Sequence, residues 1–179
     1  VYGDMGLKPT YVKAAFEYAY DELKKENVQD KVTLFYNDYD TYFSVDDELA
    51  LISYINEGEE AKICGGIGMQ SHVDIKRPTL EEYGNALKAF INAGLEVQIT
   101  ELDITINFDT DETDGRTPTY AYKNEKETEA DQAAFTKDFI KQIVDIQKNR
   151  DKTISPKGIT GITVWGISDQ TSWRGSCKP

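Results

Sequence analysis

Residues 95–104 read LEVQITELDI: apolar and polar side chains alternate from Leu95 through Thr100, and the run then closes on two carboxylates, Glu101 and Asp103. Alternation of this period marks a strand with one buried face. Two positions separate the acids, so in extended backbone their side chains share a side. Like charges held together repel unless a donor or solvent stands between them. The sole histidine, His72, lies just past the preceding apolar segment and is a candidate donor.

Helical periodicity flanks this strand. Upstream, 77–94 (RPTLEEYGNALKAFINAG) carries a capping box in Thr79 and Glu82, an apolar face of Leu80, Tyr83, Leu87 and Phe90, and Gly94 in a terminating position. Earlier still, 9–30 predicts a helix, 31–38 (KVTLFYND) a strand ending near Asn37 and Asp38, and 44–60 a helix capped by Ser44 and ended by Gly58. Residues 62–72 (KICGGIGMQSH) predict a glycine-loosened strand, and glycine in a short apolar strand allows a bulge or close approach by a neighbour. Downstream, 128–151 predicts a helix and 158–169 (GITGITVWGISD) a strand, while 107–127, rich in Asp, Glu, Thr and Gly, reads as a long loop.

Four strands alternating with helices imply a parallel α/β sheet, either open and doubly wound or part of a closed (β/α) barrel. Neither a GxGxxG run nor a phosphate-binding GxxxxGK loop is present, which removes two common reasons for an open nucleotide-binding sheet. Polar groups gather at the strand ends: Asn37 and Asp38, Gln70 and His72, Glu101 and Asp103, Trp165 and Asp169. In a barrel such ends converge on one face.

The 179 residues carry 20 Lys plus Arg against 32 Asp plus Glu, a net charge of −12. That balance disfavours nucleic acid and anionic membranes as partners and leaves a neutral substrate open. No run of about eighteen apolar residues occurs that would span a bilayer. Cys64 and Cys177 read as two unpaired thiols. One histidine without a HExxH or Cys/His array gives no metal site, and no cofactor is implied. Solvated acids opening a loop, with His72 satisfied locally, are the structural alternative for Glu101 and Asp103. Trp165 and Trp173 favour a sugar site, because indole faces stack on apolar ring surfaces while polar neighbours bind hydroxyls.

The strings LFYNDYD (34–40), GIGMQSHVD (66–74), VQITELDI (97–104) and ITVWGISDQTSWRG (162–175) resemble, in order, the later signature segments of family 10 glycoside hydrolases, endo-β-1,4-xylanases built as TIM barrels. The resemblance covers Tyr11 through Gly175. It implies that residues 1–179 are a carboxyl-terminal part of a (β/α)8 barrel, roughly strands 5 to 8, acting on xylan or xylooligosaccharides and secreted from the cell. It further implies Glu101 as the nucleophile of a retaining reaction, with His72 and Asp103 supporting it. Gln70 would meet the reacting sugar, Trp165, Trp173 and Arg174 would line the glycone side, and Tyr39 the leaving-group side. The family's acid/base glutamate belongs to a WDVVNE-like segment that this sequence lacks. Four βα units make half of an eight-stranded barrel. The expectation is a catalytic half whose partner is a missing amino-terminal half. A non-catalytic xylan-binding remnant and a related β-1,4-glucan hydrolase are the competing readings.

Overall fold

The computed structural model describes residues 9–106, 128–168 and 172–173. Its elements are α1 (Thr10–Lys25), β1 (Phe35–Asp38), α2 (Val45–Asn56), β2 (Gly66–Met69), β3 (His72–Asp74), α3 (Leu80–Asn92), β4 (Glu96–Thr105), α4 (Glu129–Asn149) and β5 (Ile159–Val164). The long loop expected over 107–127 lies outside the described residues, as do Asp169, Arg174 and Cys177.

Helix α3 shows how local sequence sets a boundary. The Thr79 hydroxyl accepts from the Glu82 amide at 3.2 Å, and the Glu82 carboxylate accepts from the Thr79 amide at 2.8 Å. Gly94, at φ +73°, takes the left-handed conformation that ends the helix. Between these limits Tyr83, Leu87 and Phe90 are fully buried. Ser44 departs from expectation: it makes no side-chain cap, and its hydroxyl turns instead to the buried Glu48 carboxyl at 3.2 Å. A second capping box, Thr128 with Asp131, opens α4.

The single strand expected over 62–72 is broken in two. Ser71 has a left-handed φ of 65°, and its hydroxyl is tied to the buried Tyr83 hydroxyl at 2.7 Å and to the Met69 carbonyl at 3.1 Å. His72 therefore begins a new short strand, β3, beside the far end of β4.

Every described strand pairing is parallel: β1 with β2, β2 and β3 with β4, and β4 with β5. If β2 and β3 count as one line of chain, the strands neighbour one another in sequence order. A doubly wound sheet must reverse its strand order somewhere, and this one does not. Right-handed crossovers then set every connecting helix on the same face, the arrangement of a (β/α) barrel. The open-sheet alternative is excluded by this order. Ile67, Met69, Val97 and Ile99 from the sheet and Tyr83, Leu87, Phe90, Phe139 and Ile143 from the helices form one buried cluster. Ile162 and Val164 of β5, at the sheet edge, stay exposed.

Candidate active site

The end of β4 breaks its own alternation. Ile99 pairs with Met69, yet the next pair toward β3 is Asp103 with His72, so Thr100, Glu101 and Leu102 stand opposite Gln70 and Ser71 alone. The same excess appears toward β5, where Ile99 pairs with Ile162 and Leu102 with Val164. This is a β-bulge, one extra residue that changes which way the following side chains point. Val97 and Ile99 are fully buried, and strict alternation would send Glu101 into that core. The bulge passes the buried position to Leu102 and turns Glu101 out beside Thr100.

Glu101 and Asp103 meet His72 between them. Asp103 Oδ2 lies 3.1 Å from His72 Nδ1, and Glu101 Oε2 lies 3.5 Å from Nε2. An imidazole has one nitrogen for each side, which is why a single histidine can separate two acids. Both carboxylates are mostly screened, with side chains 18% and 15% exposed. Backbone bonds lock the pieces together: the Glu101 amide donates to Gln70 O at 3.0 Å and the Gln70 amide to Asp38 O at 3.1 Å. Glu101 has a further partner, Asn37, which the sequence reading placed only among the polar groups at the strand ends. Asn37 donates through Nδ2 to Glu101 Oε1 at 3.4 Å and accepts at Oδ1 from the Thr100 hydroxyl at 2.6 Å.

The two indoles flank this centre. Trp173 donates through Nε1 to Asp103 Oδ2 at 2.7 Å, and its ring stands edge-on to His72 with centroids 5.0 Å apart. Trp165, just past β5, is fixed by its amide to Leu102 O at 2.9 Å, with its ring centroid 6.4 Å from that of His72. Trp173 and Trp165 are 54% and 46% exposed. Tyr39 is exposed beyond β1, its amide bonded to Asp38 Oδ1 at 2.8 Å. The other Asp38 oxygen accepts from the Tyr36 hydroxyl at 2.7 Å, and burial with that bond pushes the Tyr36 phenol well above its ordinary range, keeping it a donor. Burial and the Asp38 charge push the Glu48 carboxyl of α2 up to about 7.

His72, Glu101, Asp103, Trp165 and Trp173 are thus brought together. Gln70 sits in the break between β2 and β3, next to His72, half-buried. Tyr39 directly follows β1, and Arg174 lies outside the described residues. Cys64 is a buried free thiol, raised to about 11 by burial. Among the described residues no cluster of three or more His, Cys, Asp or Glu could hold a metal ion, and no helix is long and apolar enough to cross a membrane. Thr100 escaped the sequence reading because it looked like an ordinary alternating position. The adjacent polar pair Thr100–Glu101 in an otherwise alternating strand was the available signal.

The model of glycosyl hydrolase family 10 matches residues 1–179. Endo-1,4-beta-xylanase A of Butyrivibrio fibrisolvens is 41% identical over 179 residues, which is 100% of this chain and 37% of that protein. Among solved structures, an endo-1,4-beta-xylanase from Caldicellulosiruptor owensensis superposes with a TM-score of 0.65 at 26% identity, covering 94% of this chain and 46% of its own. Xylanase10C of Cellvibrio japonicus, in complex with xylopentaose, superposes with a TM-score of 0.67 at 26% identity, covering 98% and 32%. The chain therefore spans half or less of the length of these relatives.

Proposed function

The chain belongs to glycosyl hydrolase family 10, and from that premise we propose that it forms the carboxyl-terminal half of a retaining endo-β-1,4-xylanase barrel in which Glu101 is the nucleophile. The observation that carries the reading is the β4 bulge, which turns Glu101 out of the core with His72 at one oxygen and Asn37 at the other. Glu101 attacks the anomeric carbon of the glycone xylose, forming a glycosyl–enzyme ester as the glycosidic C–O bond breaks. A second carboxyl group, in a segment outside these residues, gives its proton to the departing sugar oxygen. It then takes a proton from the water that opens the ester and releases Glu101. Asp103 orients Glu101 through His72 and holds Trp173 upright as a wall for the sugar. Trp165 supplies a second wall, and Gln70 and Arg174 contact the glycone. Tyr39 lines the leaving-group side. Secretion suits an enzyme whose polymeric substrate lies outside the cell.

Xylose and glucose differ by one hydroxymethyl group, so substrate preference turns on the fit around Trp165 and Trp173. The measurement is kcat/KM on xylooligosaccharides and cellooligosaccharides, with the chain combined with an amino-terminal barrel half from the Butyrivibrio xylanase. The xylo series is expected to lead by about tenfold or more, the scale on which a pocket discriminates one small group. Parity, or a lead for the cello series, would make the chain part of a glucan hydrolase. Saturable binding of xylooligosaccharides without any turnover in the combined barrel would favour a binding module.

A further inference from the structure

Asn37 and Glu101 lie on strands that are not neighbours, because β2 runs between β1 and β4. Adjacent strands are about 4.8 Å apart, so the roughly 10 Å between β1 and β4 is bridged over β2 by the Asn37 side chain meeting those of Thr100 and Glu101. The position it crosses is Gly68, which pairs with Asn37 on one side and Gln98 on the other. A Cβ at Gly68 would collide with Asn37 Oδ1 and lie 3.1 Å from Asn37 Cβ and Cγ. Gly68 is not among the positive-φ glycines, so what position 68 requires is empty space, not an unusual backbone.

On the far side the amide is held at both ends. Thr100 donates to Oδ1 at 2.6 Å, and Nδ2 donates to Glu101 Oε1 at 3.4 Å. A carboxylate only accepts, so the amide must turn its NH2 toward Glu101, which leaves its carbonyl for a donor. The Thr100 hydroxyl is that donor. Without it, a half-turn of the amide would set a carbonyl oxygen against the carboxylate. The bulge makes this chain possible, since it puts Thr100 and Glu101 on the same side of β4.

We propose that Thr100, acting through the Asn37 amide across the gap left by Gly68, is a positioning residue that fixes the orientation of the Glu101 carboxylate. His72 holds Oε2 from the opposite side at 3.5 Å, so each oxygen of Glu101 has its own restraint. The role rests on the reading of Glu101 as nucleophile.

Thr100→Val keeps the volume and the β-branch and removes the donor. In the combined barrel, the rate constant for glycosyl-enzyme formation, read as the burst of phenol from an aryl xylobioside, is expected to fall about tenfold, the scale of one hydrogen bond. The burst amplitude, which counts folded sites, should hold. Thr100→Ser should restore most of the rate, and Gly68→Ala should reproduce the loss by displacing Asn37. A readout that needs no turnover is the side-chain amide resonance pair of Asn37 in the 179-residue chain, which Thr100→Val should shift. An unchanged burst rate, a fall confined to the amplitude, a loss that serine does not rescue, or unmoved Asn37 resonances would each overturn the role. If Glu101→Ala is dead while Thr100→Val bursts normally, this proposal fails alone. If Glu101→Ala turns over normally, the nucleophile reading fails as well.

Discussion

Glu101→Ala in the combined barrel is expected to lower kcat/KM on xylooligosaccharides by about 10,000-fold or more, as removal of a nucleophile does. The fold should be unaffected, because Glu101 takes no part in the buried cluster of Val97, Ile99 and Leu102. What disappears is the group that forms the bond to the anomeric carbon. Asp103 is no substitute, because His72 Nδ1 and Trp173 Nε1 both converge on its Oδ2. Thermal melts of wild type and variant should coincide while turnover separates them. Turnover within tenfold of wild type would remove Glu101 from the chemistry.

A second large effect concerns the chain by itself. Retaining hydrolysis needs two carboxyl groups about 5 to 5.5 Å apart on either side of the scissile bond. The acids described near Glu101 are committed otherwise: Asp103 to His72 and Trp173, and Asp38 to Tyr36 and the Tyr39 amide. The sheet also has two edges without a partner strand among the described residues. Among the described residues β1 pairs only with β2 and β5 only with β4, and Val164 and Ile167 are exposed beside Trp165. Open edges and bare apolar groups are what a second set of four βα units would cover. The isolated chain is therefore expected to release reducing sugar from xylan at least about 1,000-fold more slowly than the chain joined to an amino-terminal half. Equal rates would mean that both carboxyl groups reside within these 179 residues.

Much of this is legible in the sequence. Four βα units follow from periodicity and capping, and Thr79, Glu82 and Gly94 bound α3 as their types predict. Barrel against open sheet was not decidable from periodicity, because both share the same local pattern. It took the neighbour order of the strands to exclude the doubly wound form. The break at Ser71 was hidden because its cause is tertiary, a hydroxyl pair with Tyr83 twelve residues on. Within the site, Glu101 and Asp103 could be placed on one side of β4 by counting, but counting from Val97 and Ile99 would have buried Glu101. The bulge that resolves this conflict is set by pairing with two other strands. Gly68 was recognisable as a position of close approach, while what approaches it, the Asn37 amide, depends on the register of β1 on β2.

The most direct test of Glu101 as nucleophile is covalent capture. A 2-deoxy-2-fluoro-xylobioside with a dinitrophenyl leaving group departs without protonation, and its fluorine slows hydrolysis of the ester, so the glycosyl-enzyme accumulates. Intact-mass and peptide analysis of the combined barrel should then show one sugar adduct, on the peptide bearing Glu101, absent from Glu101→Ala. An adduct on any other carboxylate, or undiminished labelling of Glu101→Ala, would contradict it.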